Sequence, residues 1–347
     1  MTSRRIVVVG ASAGGVEGLM SLARTLPADL PAAVFMVLHV PAYASSVLPQ
    51  LLNRAQGLHA DHAIEGEPIQ NGRIYVAPPD HHLLMNAACV QLGRGPSENG
   101  HRPAIDPLFR AAARWHGSSV IGVVLSGSLD DGTAGLMAIK MSGGLCLVQD
   151  PTDALYPSMP KSALEHVEID HVAPLAELGA LITRLVAEPV VSPASATRPE
   201  LDALGAEALV AADTATMIGQ HGVPSSFACP DCHGVLWEIN DGELTRFRCR
   251  VGHGYLGQSL YAAMSERVEE ALWIALRALK ESSALLTRMA ERASHRKVSS
   301  LAAVYEQRAH DANARARVIE DALRGGPNDR DSRTVSAGTS RIAPHEI

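Results

Sequence analysis

Two groups of residues in this chain have the types and spacing to do chemistry. The first begins in V-V-V-G-A-S-A-G-G, where Gly10, Ser12 and Gly14 fit G-x-S-x-G, a serine on a tight strand-to-helix turn. Glycines permit the sharp backbone, and the helix N-terminus just beyond offers N–H groups and a favourable dipole to developing negative charge. Further on, A-V-F-M-V-L ends in His39, and V-I-G-V-V-L runs into S-G-S-L-D-D-G, which carries Asp130 and Asp131. Adjacent strands of a parallel sheet end at one edge. His39 could therefore reach Ser12 as a general base, and one of the two carboxylates could orient the imidazole. Each residue also has an ordinary structural role open to it: a Gly-rich turn, a polar strand end, a helix N-cap. A dinucleotide-binding turn is the rival for the first loop. It wants glycine where Ser12 stands and an acidic residue ending the second strand, where this chain has His39.

The second group lies late in the chain: Cys229 and Cys232 in A-C-P-D-C-H, then Cys249 and His253 in R-C-R-V-G-H, flanking a stretch that turns at N-D-G. Cys-x-x-Cys puts two thiolates on one knuckle, and Cys-x-x-x-His closes a tetrahedron suited to structural zinc. A module this small needs such an ion to fold. Cys229-x-x-Cys232-His233 also fits a c-type haem attachment, but that leaves Cys249 and His253 idle. His233 is an alternative fourth ligand, and a redox pair is a third reading.

These residues must be positioned by a framework, and the pattern supplies one. From Arg5 to about Val186, short β-branched runs alternate with amphipathic stretches. Strands are expected at Ile6–Val9, Ala33–Leu38, Arg73–Ala77, Val120–Leu125 and Gly144–Val148. Helices are expected at Gly15–Thr25, Ser46–Arg54, Pro107–His116 and Thr133–Ser142. Leu83–Leu92 reads as a hairpin strand on an edge. The fold class is α/β, with a mostly parallel, doubly wound sheet, followed by a zinc-ribbon-like module and a helical hairpin. In the hairpin, Met264, Val268, Leu272, Ala275, Leu276 and Leu279 follow the helical period, and the polar stretch Ser294–Ser300 separates two helices. The hairpin's apolar stripes pack on each other or dock a signalling partner.

Composition excludes several classes. A net charge of −7 argues against a broad grip on nucleic acid or anionic membrane. No apolar run approaches the roughly 20 residues of a membrane-spanning helix. The start M-T-S-R-R-I-V-V-V-G has too short an apolar run for an export signal and reads as the first strand of a cytoplasmic protein.

The chain resembles the catalytic domain of protein-glutamate methylesterases, the CheB type of bacterial chemotaxis. V-G-A-S-A-G-G, L-H-V-P, G-R-I-Y-V-A-P-P-D-H-H-L, R-P-A-I-D-P-L-F, V-L-S-G-S-L-D-D-G and M-P-K-S-A occur in the family's order over roughly residues 5–186. The resemblance implies that Ser12 is the nucleophile, His39 the general base and Asp131 the triad carboxylate, with Asp130 in the neighbouring non-catalytic slot. It implies hydrolysis of γ-glutamyl methyl esters on methyl-accepting receptors, no catalytic cofactor, and deamidation of glutamine in some relatives. Backbone N–H groups near Ala13 and at Ser128 would hold the oxyanion. The loop G-S-L-D-D-G departs from the family's frequent G-M-G-N-D-G. The hydrolase pattern starts at residue five, so the usual receiver domain is not expected ahead of it. His81, His82, Arg102 and Asp106 are weaker candidates for the substrate cleft.

The organisation expected is a catalytic domain over 1–187, a linker over 188–225, the ribbon-like module over 226–257, a helical region over 258–325 and a disordered tail over 326–347. The alternative function is a catalytically silent binding module of a sensory complex.

Overall fold

The structure is a computed structural model that describes residues 5–55, 57–190, 222–241 and 244–324. A short helix expected within Leu201–Ile218, most of the linker and the tail lie outside those residues. Two compact units are present, Met1–Ala263 and Met264–Ile347.

In the first unit, strands β1 (Arg5–Ala11), β2 (Ala32–Leu38), β3 (His59–His62), β4 (Arg73–Val76), β7 (Val120–Val124), β8 (Leu145–Gln149) and β9 (His171–Ala173) form one sheet in the order β3-β4-β2-β1-β7-β8-β9. Every neighbouring pair in it is parallel. The central strands read as unbroken apolar runs because both of their faces are covered. Successive residues of β1 serve opposite cores. Val7 and Val9 pack with Leu19 and Leu22 of α1 (Gly15–Thr25) and Leu178 and Ile182 of α6 (Leu175–Ala187). Ile6 and Val8 pack with Phe109 of α3 (Ile105–His116), Ile139 of α4 (Thr133–Met141) and Met159 of α5 (Ser158–His166). The chain runs outward from β1 through β2 and β4 on one side and from β7 through β8 and β9 on the other. The strand order therefore reverses between β1 and β7, where α/β sheets open a crevice at their carboxyl edge.

The five expected strands and four expected helices are all present, with ends shifted by a residue or two. Leu83–Leu92 is corrected: it forms a separate antiparallel hairpin, β5 (His82–Met85) and β6 (Val90–Gly93), outside the main sheet. The true edges, β3 and β9, are too short and polar to stand out in the sequence.

The same unit contains a four-stranded antiparallel sheet of β10 (Gly222–Ala228), β11 (Val235–Asp241), β12 (Leu244–Cys249) and β13 (Gly254–Leu256). Helix α7 (Gly257–His295) starts there and supplies the second unit together with α8 (Ser299–Arg324). The break between them falls in the expected polar stretch, with Lys297 in the left-handed region at φ 58°. Both helices bury small residues, among them Ala290 and Ala293 of α7 and Ala302 and Ala309 of α8. Ser283 Oγ donates to the Ala309 carbonyl at 3.2 Å from one helix to the other.

Candidate active site and metal-ligand cluster

Ser12 leaves the end of β1 at the crevice. Its N–H donates to the Ser126 carbonyl at 3.0 Å, which ties this turn to the loop after β7. Gly14, at φ 70°, caps α1 in a left-handed conformation that a side chain would strain. His39 follows β2, the neighbouring strand, and Asp131 lies in the loop between β7 and α4.

The three side chains close into a chain of hydrogen bonds. His39 Nδ1 lies 3.0 Å from Ser12 Oγ, and His39 Nε2 lies 2.6 Å from Asp131 Oδ2. With the proton on Nε2 donated to Asp131, the Nδ1 lone pair faces the serine hydroxyl, as a general base requires. The His39 side chain is 4% exposed and that of Asp131 1%, so the pair works out of bulk water.

A buried carboxylate must be compensated, and this one is. Asp131 Oδ2 also accepts the Ile105 N–H at 2.7 Å, while Oδ1 accepts the Asn99 amide at 2.9 Å, Gly132 N–H at 3.0 Å and Asp106 N–H at 3.2 Å. Burial alone would raise its pKa. The His39 hydrogen bond and charge, with the Ile105 and Asn99 donors, outweigh burial and hold the carboxyl well below its usual range.

Asp130, by contrast, faces away from the histidine. It accepts the N–H of Gln258 at 2.8 Å and of Ser259 at 3.3 Å, and the Ser259 hydroxyl, at the start of α7. It caps a helix nearly 130 residues away in sequence instead of the adjacent α4. Of the two aspartates left open by spacing, only Asp131 reaches His39.

The loop before α3 supplies residues that the sequence reading missed. Glu98 and His101 exchange backbone hydrogen bonds across Asn99 (φ 51°) and Gly100 (φ 77°), a tight Asn-Gly turn. The signal was present as E-N-G-H. His101 stacks on the His39 imidazole with ring centroids 3.8 Å apart. Burial, and then the neighbouring His39, push the His101 pKa down to about 4, so it stacks as a neutral ring. Of the weaker candidates, Arg102 lines the cleft and donates its Nε to Asp80 at 2.9 Å. Asp106 lies beneath the triad, its Oδ2 accepting from Asn99 at 3.1 Å. His82 is buried as a structural bridge, donating Nε2–H to the Pro96 carbonyl at 3.0 Å, and His81 contacts the Pro79 carbonyl.

Residues 7–182, just over half of the chain, match the CheB methylesterase family. The chain belongs to that family. It is similar to the protein-glutamate methylesterase/protein-glutamine glutaminase 1 of Geobacter metallireducens, 36% identical over 181 residues, which are 51% of this chain and 50% of the relative. A putative protein-glutamate methylesterase/protein-glutamine glutaminase of Leptospira interrogans is also 36% identical, over 52% of this chain and 93% of its own. The chain thus spans about half the length of the first relative and nearly all of the second. The crystal structure of the Thermotoga maritima CheB methylesterase catalytic domain superposes with a TM-score of 0.52 at 32% identity, covering 53% of this chain and 99% of that one.

The second residue group lies beyond the CheB methylesterase match, in the β10–β13 sheet. Cys229, Cys232, Cys249 and His253 come together, with one donor atom from each and all four within 4.8 Å of one another. Two backbone knuckles present them. Cys229 N–H donates to the Gly234 carbonyl at 2.7 Å, and Cys249 N–H to the His253 carbonyl at 3.0 Å. Sγ of Cys232 and Cys249 are 3.6 Å apart, and His253 Nδ1 is 3.7 Å from Cys229 Sγ and 3.5 Å from Cys249 Sγ. A tetrahedron with zinc–sulfur bonds of about 2.3 Å and zinc–nitrogen bonds of about 2.0 Å has edges of roughly 3.5–3.8 Å. The donor set fits such an ion. His233 is exposed and outside the cluster, so the fourth position falls to His253.

The module also borders the cleft beside Ser12 and His39. A cavity of about 690 Å³ is lined by Ser12, His39, His101 and Arg102 from the methylesterase fold and by Asp231 and His253 from the module.

Proposed function

We propose that this protein is a serine hydrolase that removes methyl esters from glutamate side chains of methyl-accepting chemotaxis receptors in the cytoplasm. The observation that carries the reading is the closed chain Ser12 Oγ to His39 Nδ1 at 3.0 Å and His39 Nε2 to Asp131 Oδ2 at 2.6 Å. Its position at the strand-order reversal and the methylesterase names of the relatives support it. His39 Nδ1 takes the Ser12 proton as Oγ attacks the ester carbonyl. The tetrahedral adduct collapses to a glutamyl-serine ester, and methoxide leaves as methanol with the proton from His39. Water then attacks, His39 takes its proton, and glutamate and free Ser12 are regenerated.

The Ser12 and Gly127 N–H groups are committed to the Ser126 and Tyr156 carbonyls. In this reading Ala13 and Ser128 N–H hold the oxyanion, each such donor typically worth about 2.7–4 kcal/mol. The same acyl chemistry on a glutamine amide releases ammonia, in keeping with the glutaminase named in the relatives. No cofactor enters the chemistry. Zinc held by Cys229, Cys232, Cys249 and His253 has a structural role, since four protein ligands leave no open position for substrate.

Incubation with receptors carrying labelled methyl groups tests the reading through released methanol. Ser12→Ala is expected to abolish release while leaving the thermal transition in place. Turnover retained in that variant would remove Ser12 from the mechanism, and a wild-type protein that binds receptor without turnover would be a silent module.

A further inference from the structure

The β10–β13 module lies outside the methylesterase match, yet its contacts run straight to the catalytic carboxylate. Gly254 directly follows the cluster residue His253. Its carbonyl accepts the Asn99 N–H at 2.8 Å, and its N–H donates to the Ser97 carbonyl at 3.3 Å. Two residues on, Leu256 N–H donates to the Asn99 side-chain carbonyl at 2.9 Å. The amide end of that Asn99 side chain donates to Asp131 Oδ1 at 2.9 Å and to Asp106 Oδ2 at 3.1 Å. One buried side chain thus spans the gap between a strand that leaves the metal cluster and the triad aspartate.

Two further contacts fix the same loop to the same module, through Glu98 and Ser97, and two more hold the module and the start of α7 against the loop and helix that follow β7. Glu98 is buried between Arg110 of α3 and Arg248 of β12, with oxygen–nitrogen distances of 2.7 Å and 2.8 Å. Ser97 Oγ donates at 3.0 Å to Asp231, which stands between Cys229 and Cys232. Asp130, next to Asp131, binds the first turn of α7. Leu244 and Leu256 bury their side chains with Ala134 of α4. His101, at the other end of the loop, carries the ring stacked on His39.

We propose that the cluster's metal ion is a switchable support of the esterase site: with the metal bound, the module holds the loop Ser97–His101, and that loop holds Asp131 and His39 in register. The inference rests on Ser12, His39 and Asp131 being the hydrolytic triad. The module is too small to keep its knuckles folded without the ion. Loss of metal releases Gly254 and Leu256, and Asn99 loses the partners that aim its amide at Asp131. Asn99 is a positioning residue, since it touches no reacting atom. Asp231 and His253 complete one wall of the cleft, so the metal-built module also shapes the space in which an ester must lie.

The test uses the full chain. Metal content is measured first, with about one zinc per chain expected. The ion is then removed with a chelator, and both forms are assayed with p-nitrophenyl acetate and for the rate of Ser12 labelling by a fluorophosphonate. Expected are a fall in kcat and in labelling rate of at least tenfold on stripping, and recovery of both on adding zinc back. Asn99→Ala, which keeps all four ligands, is expected to keep its zinc and its KM within twofold while kcat falls at least tenfold. If stripping precipitates the protein, this variant decides.

A stripped enzyme that labels as fast as the zinc form, an Asn99→Ala enzyme with wild-type kcat, or activity that rises on stripping overturns the inference. A metal-loaded wild type that neither turns over the ester nor takes the label overturns the hydrolase reading itself, and the two failures are thereby distinct.

Discussion

Glu98→Gln isolates a buried electrostatic joint in the first unit. Glu98 is 7% exposed and accepts both bonds of Arg110 Nη2, at 2.8 Å and 2.7 Å, and one from Arg248 Nη2 at 2.8 Å. The substitution keeps the shape and deletes the charge that two guanidinium groups share. Breaking a buried ion pair costs about 3–5 kcal/mol. The titration of the carboxyl gives a second measure. Burial would raise its pKa, but Arg110 and Arg248 hold it down to about 2 from an ordinary 4.5. A displacement of that size corresponds to roughly 3 kcal/mol of pH-dependent stability. Because the folded value is depressed, that stability is fully present above pH 4.5 and is lost as pH falls through about 2. Two routes thus converge on about 3 kcal/mol, a large part of the 5–15 kcal/mol typical of a domain. Urea unfolding at pH 7 should show Glu98→Gln destabilised by that amount, with the wild type approaching the variant as pH falls from 4.5 toward 2. A loss under about 1 kcal/mol, or parallel pH curves for the two proteins, would refute the reasoning.

Three other outcomes are expected. Asp131→Asn should lower kcat by a factor on the order of 10³–10⁴, because an amide in that place favours the wrong imidazole tautomer; ester turnover within tenfold of wild type would contradict it. Gly127→Ala should lose both stability and activity, since a Cβ there would lie 2.0 Å from Met159 Sδ and 3.0 Å from Ser12 Cβ; an unchanged thermal midpoint and kcat would show that the turn can shift freely. His101 has a folded pKa lowered to about 4, so unfolded chains take up its proton first, and its share of the stability falls as pH drops from 6.5 toward 4. His101→Phe, which keeps a ring on His39, should flatten the stability curve in that window, and an unaltered slope there would count against the depressed value.

Much of the fold was legible because its central strands are buried on both faces. Ile6–Val9, Ala33–Leu38 and Val120–Leu125 announce themselves as apolar runs, and Ser12, His39 and Asp131 sit just past their carboxyl ends. The parallel topology then does the rest, placing three distant loops on one rim. The edges were less legible: β3 reads H-A-D-H and β9 only H-V-A, too short and too polar for any period to appear. The Cys229–His253 spacing pointed to three cysteines but left the fourth ligand open between His233 and His253, and the knuckle geometry brings His253 to the cluster. Where the module docks left no such trace. Glu98, Arg110 and Arg248 are charged residues far apart in the chain, and solvent exposure is the ordinary expectation for each of them. Burial turns them into a joint, and no local pattern encodes that.

Asp106, Asp130 and Asp131 form a cluster of carboxylates whose different surroundings separate their roles. All three are at most 3% exposed. Burial, and then the charge of Asp131, push the Asp106 carboxyl well up, and burial likewise raises Asp130 despite its bonds to Ser259 and Gln258. Only Asp131 combines a histidine partner with four N–H donors, and only its pKa is driven down. Charge settles where donors are most numerous, and that place is the one facing His39. One of those four donors is Asn99, which the β10–β13 module holds. The ionisation of Asp131 is thus tied to the docking of a module that lies beyond the methylesterase match. Asp131→Asn should therefore nearly erase the effect of Asn99→Ala on kcat. Two independent, multiplying losses would mean that the two residues act separately.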